Sequence, residues 1–566
     1  MPPDSPVSPR RMPPPGSIVS ERAVRVQNSP HFAAALMALL AASLVLISFV
    51  YGLKNDLAGI MPPQTVETRT QQIAAAISDL AYGLNLGYAA HGRVHAALQK
   101  GGLTVYPQFL RPLGLSHPGN MTDPKLIDRV LQNATRLSGI TGDVKFGDGT
   151  LVLVQAEDLG MVDYYKLSFR LFGFTIEGFY YTYWLLLAVS AALFIICFWR
   201  SPAFLLTLNV LLMAHFLAIT YVVLGFPDAP PLLIGNVHDG RFLSVLGIIP
   251  ALHLMFLFLG DRSSNPRIIL ATVLQTELLV FVAMLRGTGL WFVLALFGVI
   301  AFNMVLRAVR GWSRHSMRVY FQQTLPWPVL LFVVSFAAAS LYQQMARNPA
   351  YDVLDEGHPG HLFWHSIFYG FTYDGDWQGR FADAYDNKAG DDLPIHAAEL
   401  YVASMGLPPG YLIGHDFLRY KTYERTIKVV SLDFIRNNLG YVVSGSFHKL
   451  ALVVTFYSNI VQQSARGAGL WLLAGLLALS GAAVLIRRNL VEDRRHFIQS
   501  IAGVGIMVLF AILPAVVAYP AAHAFGDQIY IFSTLLGLSA FALIFLCFPL
   551  VRTTSPLERE HLRASG

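Results

Sequence analysis

Apolar residues along this chain gather into ten runs, each about as long as the ~20 helical residues that cross a ~30 Å hydrocarbon core. The runs cover roughly 32–53, 178–199, 202–224, 242–260, 267–285, 289–307, 326–345, 468–487, 497–521 and 528–551. Two long segments, 54–177 and 346–467, separate them into groups of one, six and three. The pattern predicts a leader (1–31), a first transmembrane helix (32–53), a segment outside the membrane (54–177) and a six-helix region (178–345). A second outside segment (346–467), a three-helix region (468–551) and a tail (552–566) follow.

Within the first outside segment, Ile73, Ile77, Leu80, Leu84 and Leu86 suggest a helix across 69–99. Asp123-Pro124 supplies an N-cap and a first-turn proline for a helix over about 124–137. Val144-Lys145-Phe146 and Leu151-Val152-Leu153-Val154 flank Gly147-Asp148-Gly149, a hairpin signal. A short amphipathic helix along the membrane surface then leads into the second run. The second outside segment reads as mainly helical, and 431–450 as a further interfacial helix. The fold class is an α-helical polytopic membrane protein with about ten transmembrane helices and two extracytoplasmic segments, the first α+β and the second mainly α.

Composition narrows the class. Of 566 residues, 54% are hydrophobic and 13% charged, against roughly 25% charged in soluble domains. That deficit excludes a single soluble globular domain, a disordered chain and a nucleic-acid-binding protein. The net charge of +6 matters less than its placement, because basic residues collect in short cytoplasmic connections. With the N-terminus inside, eighteen arginines fall in cytoplasmic segments, from Arg10 to Arg563, while only Arg241 and Arg286 fall in short outer connections. Both termini are therefore expected in the cytoplasm. The protein is expected in a bacterial inner membrane, with 32–53 as an uncleaved signal-anchor because no small-x-small site follows Tyr51. Cys197 and Cys547 lie in apolar runs and read as packing residues.

Three features carry candidate chemistry. Glu157, Asp158 and Asp163 precede the second run, where carboxylates beside the headgroups can act as a general base or bind a cation; a solvated loop fits the same pattern. His358, His361 and His365 cluster after 350, with Pro359 in the first turn of an expected helix. His361 and His365 are then i and i+4, a spacing that suits a divalent metal ion, acid/base work or structural hydrogen bonds. The aromatic residues Phe363, Trp364, Phe368, Tyr369, Phe371, Tyr373 and Trp377 suit sugar stacking or interfacial anchoring. Acidic residues dominate 352–399 and basic ones 400–466, which a solvated surface also explains. Third, Glu277 falls inside the fifth run, where a carboxylate costs about 2.5–3.5 kcal/mol on the insertion scale. It is expected to face other helices or a wet cavity, with His215 and His253 as partners.

The acidic loop, the sequence Tyr165-Lys-Leu-Ser-Phe-Arg-Leu-Phe-Gly173 and the aromatic run from Phe179-Tyr180-Tyr181 to Phe198-Trp199-Arg200 resemble the first-loop exit of C-type glycosyltransferases. The similarity covers about forty residues plus the overall topology. It implies a multi-pass enzyme taking a sugar from a polyprenyl-phosphate carrier on the outer face. That family usually places an acidic pair soon after the first span, where this chain has only Asp56. The candidate carboxylates are thus Asp56, Glu157, Asp158 and Asp163, with His361 or His365 against the departing phosphate. Expected partners are membrane lipid and a polyprenyl-phosphate-linked glycan. Two alternatives stand beside this reading: a proton-coupled transporter or flippase using Glu277, and a non-enzymatic scaffold for envelope assembly.

Overall fold

The computed structural model describes residues 30–55, 57, 63–92, 94–95, 143–146, 149–154, 159–173, 175, 177–224, 240–259, 265–285, 290–309, 326–348, 362–374, 376–390, 392–412, 420–486, 493–518 and 537. Sixteen α-helices and one three-stranded sheet account for most of them. Among the described residues six helices are long and apolar enough to cross a membrane: α1 (Pro30–Lys54), α4 (Glu177–Phe198), α5 (Pro202–Leu224), α7 (Pro266–Leu285), α9 (Pro326–Ala346) and α14 (Arg494–Val517). These match six of the ten apolar runs.

The other four runs take different forms. Residues 242–260 become a short helix, a 3-10 turn (Ser244–Gly247) and the twelve-residue α6 (Ile248–Leu259). Pro250 has no amide to return to the carbonyl of Leu246, which fits the change of helix type just before it. In α8 (Leu290–Val309) the apolar stretch is Trp291–Leu306, and in α13 (Leu439–Leu485) there are two, Leu439–Thr455 and Leu473–Leu485. Helix α13 has 47 residues, about 70 Å at 1.5 Å per residue, and crosses the expected boundary at 467 without a break. The tenth run lies outside the described residues apart from Gly537.

Helix α5 is the centre of the bundle. Every residue of Pro202–Thr220 is buried, enclosed by α1, α4, α13 and α14. Polar side chains inside the bundle answer one another: Tyr183 Oη and His215 Nε2 lie 2.9 Å apart. Ser190 Oγ donates to Gln275 Oε1 at 2.8 Å, and Gln275 Nε2 returns a bond to the Ser190 carbonyl at 2.7 Å. His253 Nε2 lies 3.3 Å from Thr272 Oγ1. At one end of the bundle, Trp199 Nε1 donates to His31 Nδ1 at 3.4 Å and Asp493 accepts from the Ala203 amide at 3.3 Å. At the other end, Tyr180 Oη donates to the Phe49 carbonyl at 2.6 Å. The segments 54–177 and 346–467 both meet this second end.

The first segment merges with the bundle. Helix α2 (Pro63–Tyr82) is followed by β1 (Ala89–His91), so the helix expected across 69–99 stops early. Gly83 is left-handed (φ +61), and its amide and that of Leu84 take the carbonyls of Asp79 and Ser78. The hairpin forms as expected from β2 (Asp143–Phe146) and β3 (Gly149–Leu153), and β1 adds antiparallel to β3 with Ala90 opposite Val152. The helix expected at 124–137 lies outside the described residues. Helix α3 (Leu159–Phe172) then lies across α2, α4 and α7. Ile73, Ile77, Leu86, Tyr88, Ala90 and Val152 belong to the same apolar core as the bundle.

The second segment has a core of its own. Helices α10 (Phe363–Gly370), α11 (Asp392–Ser404), α12 (Tyr420–Asn437) and the start of α13 enclose Phe368, Phe371, Trp377, Tyr423, Phe434 and Tyr441. Phe371 stacks on Phe434 with ring centroids 4.8 Å apart. The predicted interfacial helix at 431–450 is divided at Asn438, between α12 and α13.

Candidate functional site

The described polar groups of the first segment converge where α2, α3 and α9 meet. The site begins with two glycines. Gly160 opens α3 so close to the end of α7 that a Cβ there would lie 2.2 Å from the Met284 carbonyl oxygen. Gly87, at φ +60, lies against the end of α9, where a Cβ would lie 2.5 Å from the Ala346 oxygen. Asn348 fixes this contact: its amide donates to the Gly87 carbonyl at 2.8 Å and its Nδ2 to the Leu86 carbonyl at 2.9 Å. Asn85 (φ 43) and Tyr88 (φ 60) are also left-handed. Such non-glycine conformations cost about 1–3 kcal/mol each and persist only where the surroundings impose them.

The strained turn presents Tyr88 to α3. Its hydroxyl donates to Asp163 Oδ2 at 2.9 Å. Lys166, three residues on, pairs with Asp79 of α2 at 2.6 Å, and its Nζ lies 5.6 Å from the Tyr88 ring centroid. Burial raises the Asp163 carboxyl above its ordinary value. The Tyr88 bond, the Lys166 charge and a hydrogen bond from Gln343 of α9 pull it back, and Asp79 pushes it up. The result is a half-buried carboxyl with raised proton affinity, a phenol on one oxygen and an ammonium nearby. That arrangement can exchange a proton with a hydroxyl group and present a cation to an anion.

Helix α3 also ends at an apolar groove. Phe172, its last residue, joins Phe49, Tyr181, Trp184, Ala188 and Ala192 around a space of about 530 Å³ between α1 and α4. Asp163 and Phe172 are nine residues apart on one helix, about 14 Å. The groove walls carry small side chains in the middle and aromatic ones toward the α3 end.

Of the residues singled out from sequence, Asp163 alone enters this cluster among those described. Asp56, Glu157, Asp158 and His361 lie outside the described residues. His365 sits in the second segment, its Nδ1 2.5 Å from the Tyr423 hydroxyl. The described helix there starts at Phe363, with Leu362 just before it outside the helical region (φ -72, ψ 80). Beside it, Glu424 accepts the Trp364 amide at 2.8 Å. Burial raises the Glu424 carboxyl, while the amides at the start of α10 and His365 oppose the rise. Among the described residues no three His, Cys, Asp or Glu side chains are grouped to hold a metal ion.

Two expectations change. Phe368, Phe371 and Trp377 are buried in the core of the second segment, so they support the fold and present no face to a sugar. Several of its charged groups are likewise engaged internally: Glu399 accepts the Leu412 amide at 2.8 Å, and Asp386 pairs with His396 at 2.7 Å. Glu277 does not meet His215 or His253, which pair with Tyr183 and Thr272. It is exposed on the outside of the bundle, where Ser335 Oγ of α9 donates to it at 2.5 Å.

Tyr88, Asp79, Lys166, Gln343 and Asn348 are members of the site that sequence reasoning missed. The spacing Gly83-Leu-Asn85-Leu-Gly87-Tyr88 held the signal, since glycine and asparagine mark left-handed turns. Compared with known proteins, the chain matches no family model, no curated protein and no solved structure.

Proposed function

We propose that this chain is a bacterial inner-membrane enzyme of envelope glycan assembly, transferring a sugar or glycan from a polyprenyl-phosphate carrier on the periplasmic face. In this reading the chain has ten spans and both termini are cytoplasmic, in keeping with the eighteen inner arginines. The end of the bundle that meets both large segments then faces the periplasm. Asp163 takes the proton from the acceptor hydroxyl as the new glycosidic bond forms and the bond to the carrier phosphate breaks. Lys166 lies near enough to the carboxyl to steady the departing phosphate, and the groove at Phe172 suits an isoprenoid chain. The observation that carries the proposal is the raised Asp163 carboxyl of α3, bonded by Tyr88 from a strained turn at the junction of α2, α3 and α9.

The test compares lipid-linked glycans in a deletion strain complemented with the wild type, with Asp163→Asn or with Asp163→Ala. Loss of product at normal membrane abundance in both variants is expected. Wild-type levels of product in both would overturn the proposal. Among the described residues Glu277 takes a hydrogen bond from a serine, Ser335, and no proton relay leads from it, so the transporter reading is not the one we favour.

A further inference from the structure

Glu277 occupies an unusual position. It lies eleven residues after the start of α7 and eight before its end, in the middle of a helix long enough to span a bilayer. Ser335, which donates to it, is equally central in α9. Both lie on the perimeter of the bundle. Helix α9 packs chiefly on α7, and almost none of its apolar length is buried, whereas Pro202–Thr220 of α5 is buried throughout. Exposed apolar residues on such a helix are ordinary in lipid. A carboxyl group at the same depth is not, because hydrocarbon offers neither charge nor hydrogen bonds to match it.

We propose that the α7–α9 face is an intramembrane docking surface for a transmembrane helix of another protein, one carrying an arginine or lysine at mid-depth to meet Glu277. Charge complementarity argues for a cation. Among the described residues, the membrane-length helices do not supply one at this depth: Lys54, Arg267, Arg494 and Arg495 stand at helix ends, and 528–551 contains no lysine or arginine. Gly537, in that last run, sits against Leu211 of α5, away from this face. A second copy would bring only the same carboxyl to this depth. Ala337, Ala338, Ala339 and Ser340 form a small-residue stretch on α9, with Ala337 and Ala338 exposed. Small side chains there let a partner backbone approach closely.

The test uses the full-length protein in lipid nanodiscs and a synthetic transmembrane peptide of about 20 leucines with one central arginine. Binding is read by energy transfer and compared with an all-leucine peptide. The arginine peptide is expected to bind about ten-fold more tightly, and Glu277→Gln should erase that preference. Ala338→Trp, which fills the exposed face without touching the charge, should weaken binding of the arginine peptide as well. Equal binding of the two peptides, or an arginine preference that persists in Glu277→Gln, would overturn the proposal. So would self-association of the wild type, counted by photobleaching, that disappears in Glu277→Gln, since the occupant would then be a second copy.

Discussion

The segments 54–177 and 346–467 look alike in sequence, each a stretch of helices and polar loops set between apolar runs, yet they join the bundle in different ways. In the first, Ile73, Tyr88 and Val152 pack into the same core as the membrane-length helices. In the second, Trp377, Phe434 and Tyr441 pack among themselves, and the contact with α14 rests on a few close approaches. Gly370 lies so near Ala518 that a Cβ would fall 1.5 Å from its carbonyl oxygen. A fused core can hold a strained turn and a half-buried carboxyl in place, because displacing either disturbs the bundle. A separate core gives its charged residues to helix caps and turns. The difference explains why the candidate site lies in the first segment although the second holds more of the acidic and aromatic residues.

The sharpest way to break the comparison is to remove the Asp163 carboxyl. Asp163→Asn should lower glycan transfer by about 10²–10⁴-fold, the usual range for an acid/base group, whereas His365→Ala should have little effect. The raised carboxyl also sets a pH dependence. A folded value above the unfolded one means that the stability contribution of this group is full below the unfolded value and is lost as pH rises through the folded value. Transfer rate should follow the opposite limb, rising as Asp163 loses its proton at a pH above the ordinary carboxylate range. A rate profile with its limb at the ordinary carboxylate value would count against Asp163 as the base.

Next in size is a cavity in the second core. Trp377→Ala should cost about 3–5 kcal/mol of local stability. If the two cores are independent, hydrogen exchange in the full-length protein should rise across α10–α12 and stay unchanged across α2, α3 and α5. Equal loosening in both regions would show one cooperative unit.

Gly87→Ala probes the fused side. The added methyl meets the Ala346 carbonyl and the left-handed backbone disfavours it. A loss of about 1–3 kcal/mol is expected, seen as faster exchange in β1 and at the end of α9 together. Loss confined to β1 would mean that the turn is not clamped by Asn348.

Much of this architecture was legible from the chain, and the failures have physical causes. The hairpin was readable because Gly147-Asp148-Gly149 is a local turn signal between short apolar strands. Helix α3 was readable from its amphipathic spacing. Strand β1 was not, because three residues pair only with a partner some sixty positions away. The Tyr88–Asp163 bond spans 75 positions, so Asp163 was visible as a carboxylate in an acidic stretch while its partner was hidden in an expected helix. Glu277 was identified as costly, but periodicity on a helix apolar all round does not say which flank faces lipid. The separate core of the second segment was illegible for a similar reason: aromatic residues suit a sugar, an interface or a core equally well until their neighbours are known.

Lys449 tests the smallest difference between the two segments, the polar latch where the second one meets α14. Its Nζ donates to the Ala518 carbonyl at 3.1 Å and lies 3.4 Å from that of Val517, closing the end of α14 from another element. Burial pushes the Lys449 ammonium down to about 8 from 10.5, and Asp374 partly offsets it. Because the folded value is the lower one, an undocked lysine binds more protons between those two values. Docking should therefore strengthen as pH rises through that window and stay at its weaker level below it. Between pH 7 and pH 9 the gain should be about 1 kcal/mol, read as slower exchange at the last turn of α14. Lys449→Met should flatten this dependence while leaving the exchange of β1 and α2 unchanged. A pH response that survives in Lys449→Met would assign the latch to another group, and a matching response in α2 would erase the distinction between the fused and the separate core.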